Sequence, residues 1–158
     1  MYLCRFRAGS VFANSHWKHD VAVVEKALDV VTRFNAAKYV DKPVKVNRAD
    51  VWTETGKGSK GEKFLVEPYI KYWEKWNSNT GRANDDEGWP EIMQALLHYS
   101  YHAYGGYLVL CDLQGGIYKD GAVISDPVIL SRNRAYGSAR SFDADGIHAQ
   151  VSLYLRVV

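Results

Sequence analysis

Between Asp20 and Asn35 the apolar residues Val23, Val24, Ala27, Leu28, Val31 and Phe34 recur three and four positions apart, with Glu25, Lys26, Asp29 and Arg33 among them. That spacing gathers one apolar stripe on a helix, and the Asp20 carboxylate suits its N-cap. Elsewhere the apolar residues come in short runs. Tyr2-Leu3-Cys4-Arg5-Phe6 reads as a strand, and Val44 to Val46 and Val51 to Thr53 are weaker strand candidates before the loop Thr55-Gly56-Lys57-Gly58-Ser59-Lys60-Gly61. Phe64-Leu65-Val66 has a buried-strand pattern that stops at Glu67-Pro68, because proline lacks an N–H and biases the residue before it towards extended backbone. Pro90 suits the first turn of a second helix, with Glu91 near its N-terminus, a stripe of Ile92, Ala95, Leu96 and Tyr99, and Gly105-Gly106 at its end. Leu108-Val109-Leu110-Cys111 is apolar throughout, as in a strand buried on both faces, and runs into a loop at Asp112-Leu113-Gln114-Gly115-Gly116. Most strands are expected before residue 70, around one helix, and a more helical half after it. This order predicts an α+β fold of two lobes with a boundary at Glu67-Pro68.

Composition narrows the picture to one ordinary globular domain: 158 residues, 47% hydrophobic, 24% charged, net charge +2. Interspersed charge of that size makes no stripe for a nucleic acid, and no apolar run approaches the roughly 18 residues of a membrane span. Two cysteines, Cys4 and Cys111, and a start carrying Arg5 and Arg7 where a signal peptide would be apolar, give an intracellular, cytoplasmic expectation. Gly56, Gly58 and Gly61 do not lead into the Gly-Lys-Ser/Thr of a phosphate loop, and Lys57 and Lys60 suit a solvated hairpin tip.

Chemistry concentrates around two aspartates. Asp112 and Gln114 follow a buried strand, and Asp126, in Ser125-Asp126-Pro127, follows a short loop able to fold back on it. Magnesium takes a few carboxylate or amide oxygens together with phosphate oxygens, so Asp126 and Gln114 could hold a metal-nucleotide while Asp112 receives a hydroxyl proton. Taken alone, the same aspartates would serve as turn initiators bonded to nearby N–H groups.

Several segments, in order, resemble the alpha-type protein kinases, the atypical family of myosin heavy chain kinase and elongation factor kinase. Phe64-Leu65-Val66-Glu67-Pro68-Tyr69-Ile70 is similar to that family's hinge, and Lys75-Trp76-Asn77-Ser78-Asn79-Thr80-Gly81 to its Lys-aromatic-Asn-x-Asn-x-Gly segment. Leu97-His98-Tyr99-Ser100-Tyr101, Leu108 to Gly115 and Ser125-Asp126-Pro127 resemble its His-containing helix, its Asp-x-Gln-Gly loop and its Thr/Ser-Asp-Pro loop, and residues 17–35 its N-lobe helix ending in Phe-Asn. The resemblance implies a two-lobed kinase-like fold with residues 1–66 as a partial N-lobe, 67–70 as the hinge and 71–158 as the C-lobe. It implies transfer of the γ-phosphoryl group of Mg-ATP to a serine or threonine of an unidentified protein. Asp112 would be the acid/base, Glu67 and Tyr69 would lie at the adenine, Lys75 and Asn79 near the nucleotide, and Gln114 and Asp126 at the magnesium. Trp73 and Trp76 suit packing between lobes better than substrate contacts.

Two departures accompany the likeness. The family carries an α-phosphate lysine on the strand before its N-lobe helix, where this chain has Cys4; Arg5 would replace it only through a one-residue register shift that turns its side chain to the other face. The family's preceding strands and glycine-containing phosphate loop have no counterpart before Met1, so a truncated N-lobe and feeble phosphotransfer are expected. His98 matches the first ligand of the family's structural zinc, yet residues 153–158 hold no His or Cys, Tyr136-Gly137 and Asp145-Gly146-Ile147 only faintly resemble the loop and helix before those ligands, and His102 and His148 lack supporting thiolates. No zinc is expected. The alternative functions are a catalytically dead relative that binds nucleotide or a protein partner and, from the 13% aromatic content, a carbohydrate or peptide binder.

Overall fold

The computed structural model of the chain describes residues 2–4, 13–58, 61, 63–79, 83–84 and 86–136. Helix α1 spans Ala13–Ala36. It begins before Asp20, which therefore lies inside the helix and not at its cap, since residues 14–19 contain neither proline nor glycine to stop it. The expected stripe is real: Val23, Ala27, Val31 and Phe34 are buried, with Val24 and Leu28 packed beside them, and Val30, outside that stripe as read, is buried too. The helix ends on a side chain acting as a strand edge. Asn35 donates to the carbonyl of Val44 at 2.7 Å and accepts from its N–H at 3.0 Å, which seats strand β2 (Val44–Val46) against the helix terminus.

Strand β1 (Tyr2–Cys4), β3 (Asp50–Thr53) and β4 (Lys63–Glu67) form an antiparallel sheet in the order β1-β4-β3, with Cys4 opposite Leu65 and Thr53 opposite Lys63. Strands β3 and β4 are consecutive and antiparallel, as the hairpin reading expects, with Gly56, Gly58 and Gly61 between them in sequence. Strand β4 stops at Glu67, before Pro68, as its missing N–H requires.

Among the described residues, the half after residue 70 is not predominantly helical. Its described residues form one helix, α2 (Trp89–Ala103), and the five strands β5 (Glu74–Lys75), β6 (Leu108–Cys111), β7 (Gln114–Tyr118), β8 (Gly121–Ile124) and β9 (Val128–Ser131). Gln114-Gly115-Gly116, expected as a loop, is strand because a side chain would not fit: a Cβ on Gly115 would stand 1.9 Å from the carbonyl oxygen of Val123 on the partner strand. The second sheet runs β2-β8-β7-β5, with β2 parallel to β8. Thus α1 and β2 precede the expected boundary at 67–70 but lie with elements that follow it.

Strands β6 and β9 pair antiparallel and are buried along their whole length. Leu108 and Leu110 face the main core with α1, while Val109 and Cys111 face a second cluster with Leu97, Val128 and Leu130. Two buried faces explain why the run shows no alternation. On α2 the buried face is Met93, Leu96, Leu97 and Ser100; of the expected stripe Leu96 is buried, Ile92 and Tyr99 are partly so, and Ala95 is exposed. Ser100 Oγ donates to the Leu97 carbonyl at 2.6 Å and accepts from the Leu110 N–H at 2.9 Å, fixing β6 to the helix. Asp29 on α1 accepts the Tyr104 hydroxyl at 2.6 Å, with Lys26 and Arg33 alongside, and so ties α1 to the end of α2. Trp76 is fully buried in the core, whereas Trp73 is 49% exposed and does not pack as expected.

Candidate active site

Asp112 leaves the buried end of β6 in a left-handed conformation, φ 57°, that aspartate tolerates better than most residues. Its carboxylate is held at both oxygens: Lys75 Nζ lies 2.7 Å from Oδ1, and Gln114 Nε2 donates to Oδ2 at 3.5 Å. Lys75 reaches it because β5 pairs with β7, which sets Lys75 opposite Gln114. The next peptide is locked from the other side. The Leu113 N–H donates to Oδ1 of the buried Asn77 at 2.7 Å, and the Leu113 carbonyl accepts from the Trp76 N–H at 2.9 Å.

The β7–β8 hairpin returns the chain to this point. Ser125 N–H donates to the carbonyl of Gln114 at 2.9 Å, so Asp126 follows immediately beyond the strand end that Gln114 begins. Asp126 is exposed and, like Asp112, left-handed, at φ 47°. Ser125 is buried, and its Oγ donates to Glu67 Oε2. Asn47, just past β2, donates through Nδ2 to the Pro68 carbonyl at 3.0 Å, to Glu67 Oε2 at 3.2 Å and to Ser125 Oγ at 3.2 Å.

The sequence-derived candidates therefore fall into two neighbouring groups, Asp112 with Lys75 and Gln114, and Glu67 beside the Ser125-Asp126 loop. Tyr69 is half-exposed just beyond Pro68, and Asn79 is half-buried in the turn after Asn77. Sequence reasoning singled out neither Asn47 nor Asn77; the sole signal was Asn77's place within the Lys75 to Gly81 segment. His98 lies half-buried on α2; its Nε2 has no hydrogen-bond partner among the described residues, and burial, with His102 nearby, lowers its pKa below the ordinary value. Arg5 and the segments at 137–158, including His148, lie outside the described residues. Among the described residues no group of three or more His, Cys, Asp or Glu could hold a metal by itself.

The Asp112-Gln114 loop, the hairpin that returns Ser125-Asp126 to it and Glu67 at a proline-stopped strand together make up the candidate site. The Alpha-kinase family profile matches residues 4–151, and the chain belongs to the Alpha-kinase family. No curated protein sequence matches it. Among solved structures, an alpha kinase from Entamoeba histolytica is similar with a TM-score of 0.79 and 19% identity, over 94% of this chain and 62% of that one. The alpha-kinase domain of myosin-II heavy chain kinase A in complex with AMP-PNP has a TM-score of 0.73 and 20% identity, over 96% of this chain and 62% of that one. The same domain in complex with AMP gives 0.75 and 21%, over 96% and 60%. The chain thus spans less than two thirds of the length of these structures and has their fold. No helix among the described residues is long and apolar enough to cross a membrane.

Proposed function

We propose that the chain is an alpha-type protein serine/threonine kinase domain that transfers the γ-phosphoryl group of ATP to a protein hydroxyl. The observation that carries this reading is the double hold on Asp112, by Lys75 and Gln114, at a strand end to which the β7–β8 hairpin returns Asp126. In this reading residues 67–70 are the hinge between lobes at 1–66 and 71–158, with α1 and β2 seated on the second lobe, Glu67 and Tyr69 lie at the adenine, Lys75 and Asn79 lie near the nucleotide, and the chain acts in the cytoplasm on a protein partner.

Magnesium keeps most of its water and takes one or two protein oxygens, so a full ligand cage is not required. The Gln114 amide and the exposed Asp126 carboxylate fit that need and would hold it. When bound, the ion neutralises charge on the phosphates during transfer. Asp112 accepts the proton of the attacking hydroxyl at a carboxylate oxygen. Lys75 and Gln114 fix the plane of that carboxylate beforehand, so little reorganisation accompanies the reaction. The Asn77 bond to the Leu113 N–H keeps Asp112 at its strand end.

Calorimetric titration with ATP, with and without magnesium, tests the reading. Saturable binding that strengthens with magnesium and loses that gain in Asp126→Ala is expected; magnesium-dependent binding untouched by Asp126→Ala overturns the assignment of the metal position.

A further inference from the structure

We infer that Asn47 is a positioning residue, a pin that joins two of the chain crossings of the β1-β4-β3 sheet and sets that sheet's angle to the phosphotransfer end of the site. The inference rests on the proposed kinase reading. Topology supplies its first half. Strands β1, β3 and β4 pair only with one another among the described strands, while β2 and α1 lie with the second half of the chain. Apart from residues 5–12, which join β1 to α1, the chain enters this sheet between Val46 and Asp50 and leaves it after Glu67. Asn47 stands on the entering crossing, and its side chain bonds the leaving one at the Pro68 carbonyl and Glu67 Oε2.

The third partner gives the pin an anchor. Ser125 Oγ accepts from Asn47 Nδ2 at 3.2 Å while donating its own hydrogen to Glu67, so one buried knot touches both crossings and the residue before Asp126. The Asn47 N–H donates to the Ile124 carbonyl at 2.7 Å, which extends the β2–β8 pairing and holds the Asn47 backbone on the rigid side. Three acceptors surround Nδ2, so the amide orientation is fixed: a flipped group would set its oxygen against a carboxylate and a carbonyl. A side chain 6% exposed that spans all three elements acts where a hinge absorbs its rotation.

Two spin labels read the angle, at Thr53→Cys on β3 and Lys119→Cys on the β7–β8 turn, both exposed positions, in a Cys4→Ser background. The chain with Asn47 is expected to give one narrow distance population. Asn47→Ala should broaden it, and Asn47→Asp, which replaces a donor by a charge facing Glu67, should broaden it further. Ser125→Ala, which removes the anchor and its bond to Glu67 but leaves Asn47 bonded to Glu67 and Pro68, should broaden it less and serves if the Asn47 variants fail to fold. Mg-ATP affinity measured on the same proteins should fall about tenfold in Asn47→Ala, as the loss of about 1.4 kcal/mol of hydrogen bonding would give. In an Asn47→Ala/Glu67→Gln cycle the two losses should not add. Unchanged distances in Asn47→Ala and Ser125→Ala overturn the pin even where ATP binds. Broadened distances in a chain that binds no nucleotide leave the pin standing and overturn the kinase reading instead.

Discussion

Strands β6 and β9 and the β1-β4-β3 sheet both draw on valine and leucine, yet they differ in how they are covered. Every residue of β6 and β9 is buried, between two apolar clusters; in β3 and β4 only Val66 is. Asp112 stands at the end of the first pair and Glu67 at the end of β4, the central strand of the β1-β4-β3 sheet. On the proposed kinase reading the difference suits unequal duties. A group that must meet a reacting hydroxyl within a fraction of an ångström gains from a platform with no freedom, whereas a group that admits and releases a nucleotide gains from one that can turn.

The largest effect should appear in stability. Leu110→Ala opens a cavity in a fully buried strand and should cost about 2–5 kcal/mol in urea unfolding, while Trp52→Ala, at a half-exposed position of β3, should stay within about 0.5 kcal/mol. Equal costs would erase the contrast between the two regions.

Asn77→Ala should come next. It strips the Leu113 N–H of its buried acceptor, at about 1–3 kcal/mol, and phosphotransfer should fall more than ATP affinity because the disturbed peptide adjoins Asp112. A loss confined to ATP affinity would move Asn77 to the nucleotide side of the comparison.

Smaller still is the link between α1 and α2. The Tyr104 hydrogen bond, opposed by burial and helped by Lys26 and Arg33, holds the Asp29 carboxyl at about 2 instead of 3.8. A depressed folded value means that the stabilisation is present above the unfolded value and disappears as pH falls through the folded one. The margin of the native chain over Asp29→Asn should therefore be full near about pH 5 and shrink between about pH 4 and pH 2. Burial and the same bond raise Tyr104 to about 12 from 10.0, so this contribution is lost as pH rises through that range. Because Asp29 is partly exposed, the effect should stay under about 1 kcal/mol in urea titrations at each pH.

Local pattern made the helix stripe, the strand stop at Pro68, the hairpin at Gly56 to Gly61 and the buried run at Leu108 legible, because each is written within a few consecutive residues. The extent of the second sheet was not. Gly115 and Gly116 carry turn chemistry in sequence, and only the approach of Val123 shows that glycine there admits a strand partner. Asp112, Gln114 and Asp126 stood out through the resemblance of their segments. Asn47 could not, since its partners lie at positions 67, 68 and 125 and nothing beside it in sequence marks a buried amide. Ser100 was hidden in the same way, its partner Leu110 lying across a helix end.

The central claim is that Asp112, on its rigid platform, is the proton acceptor of a phosphotransfer reaction. Cys4, opposite Leu65 in β1, stands where the resemblance places an α-phosphate lysine, so transfer by the native chain should be slow. The direct measurement is incorporation of labelled γ-phosphate into a serine/threonine-containing protein by the Cys4→Lys chain and by Cys4→Lys/Asp112→Ala. The account predicts that Cys4→Lys raises the slow native rate and that removing Asp112 lowers it about 10²- to 10⁴-fold while the fold is kept. Equal incorporation with and without Asp112 would contradict it.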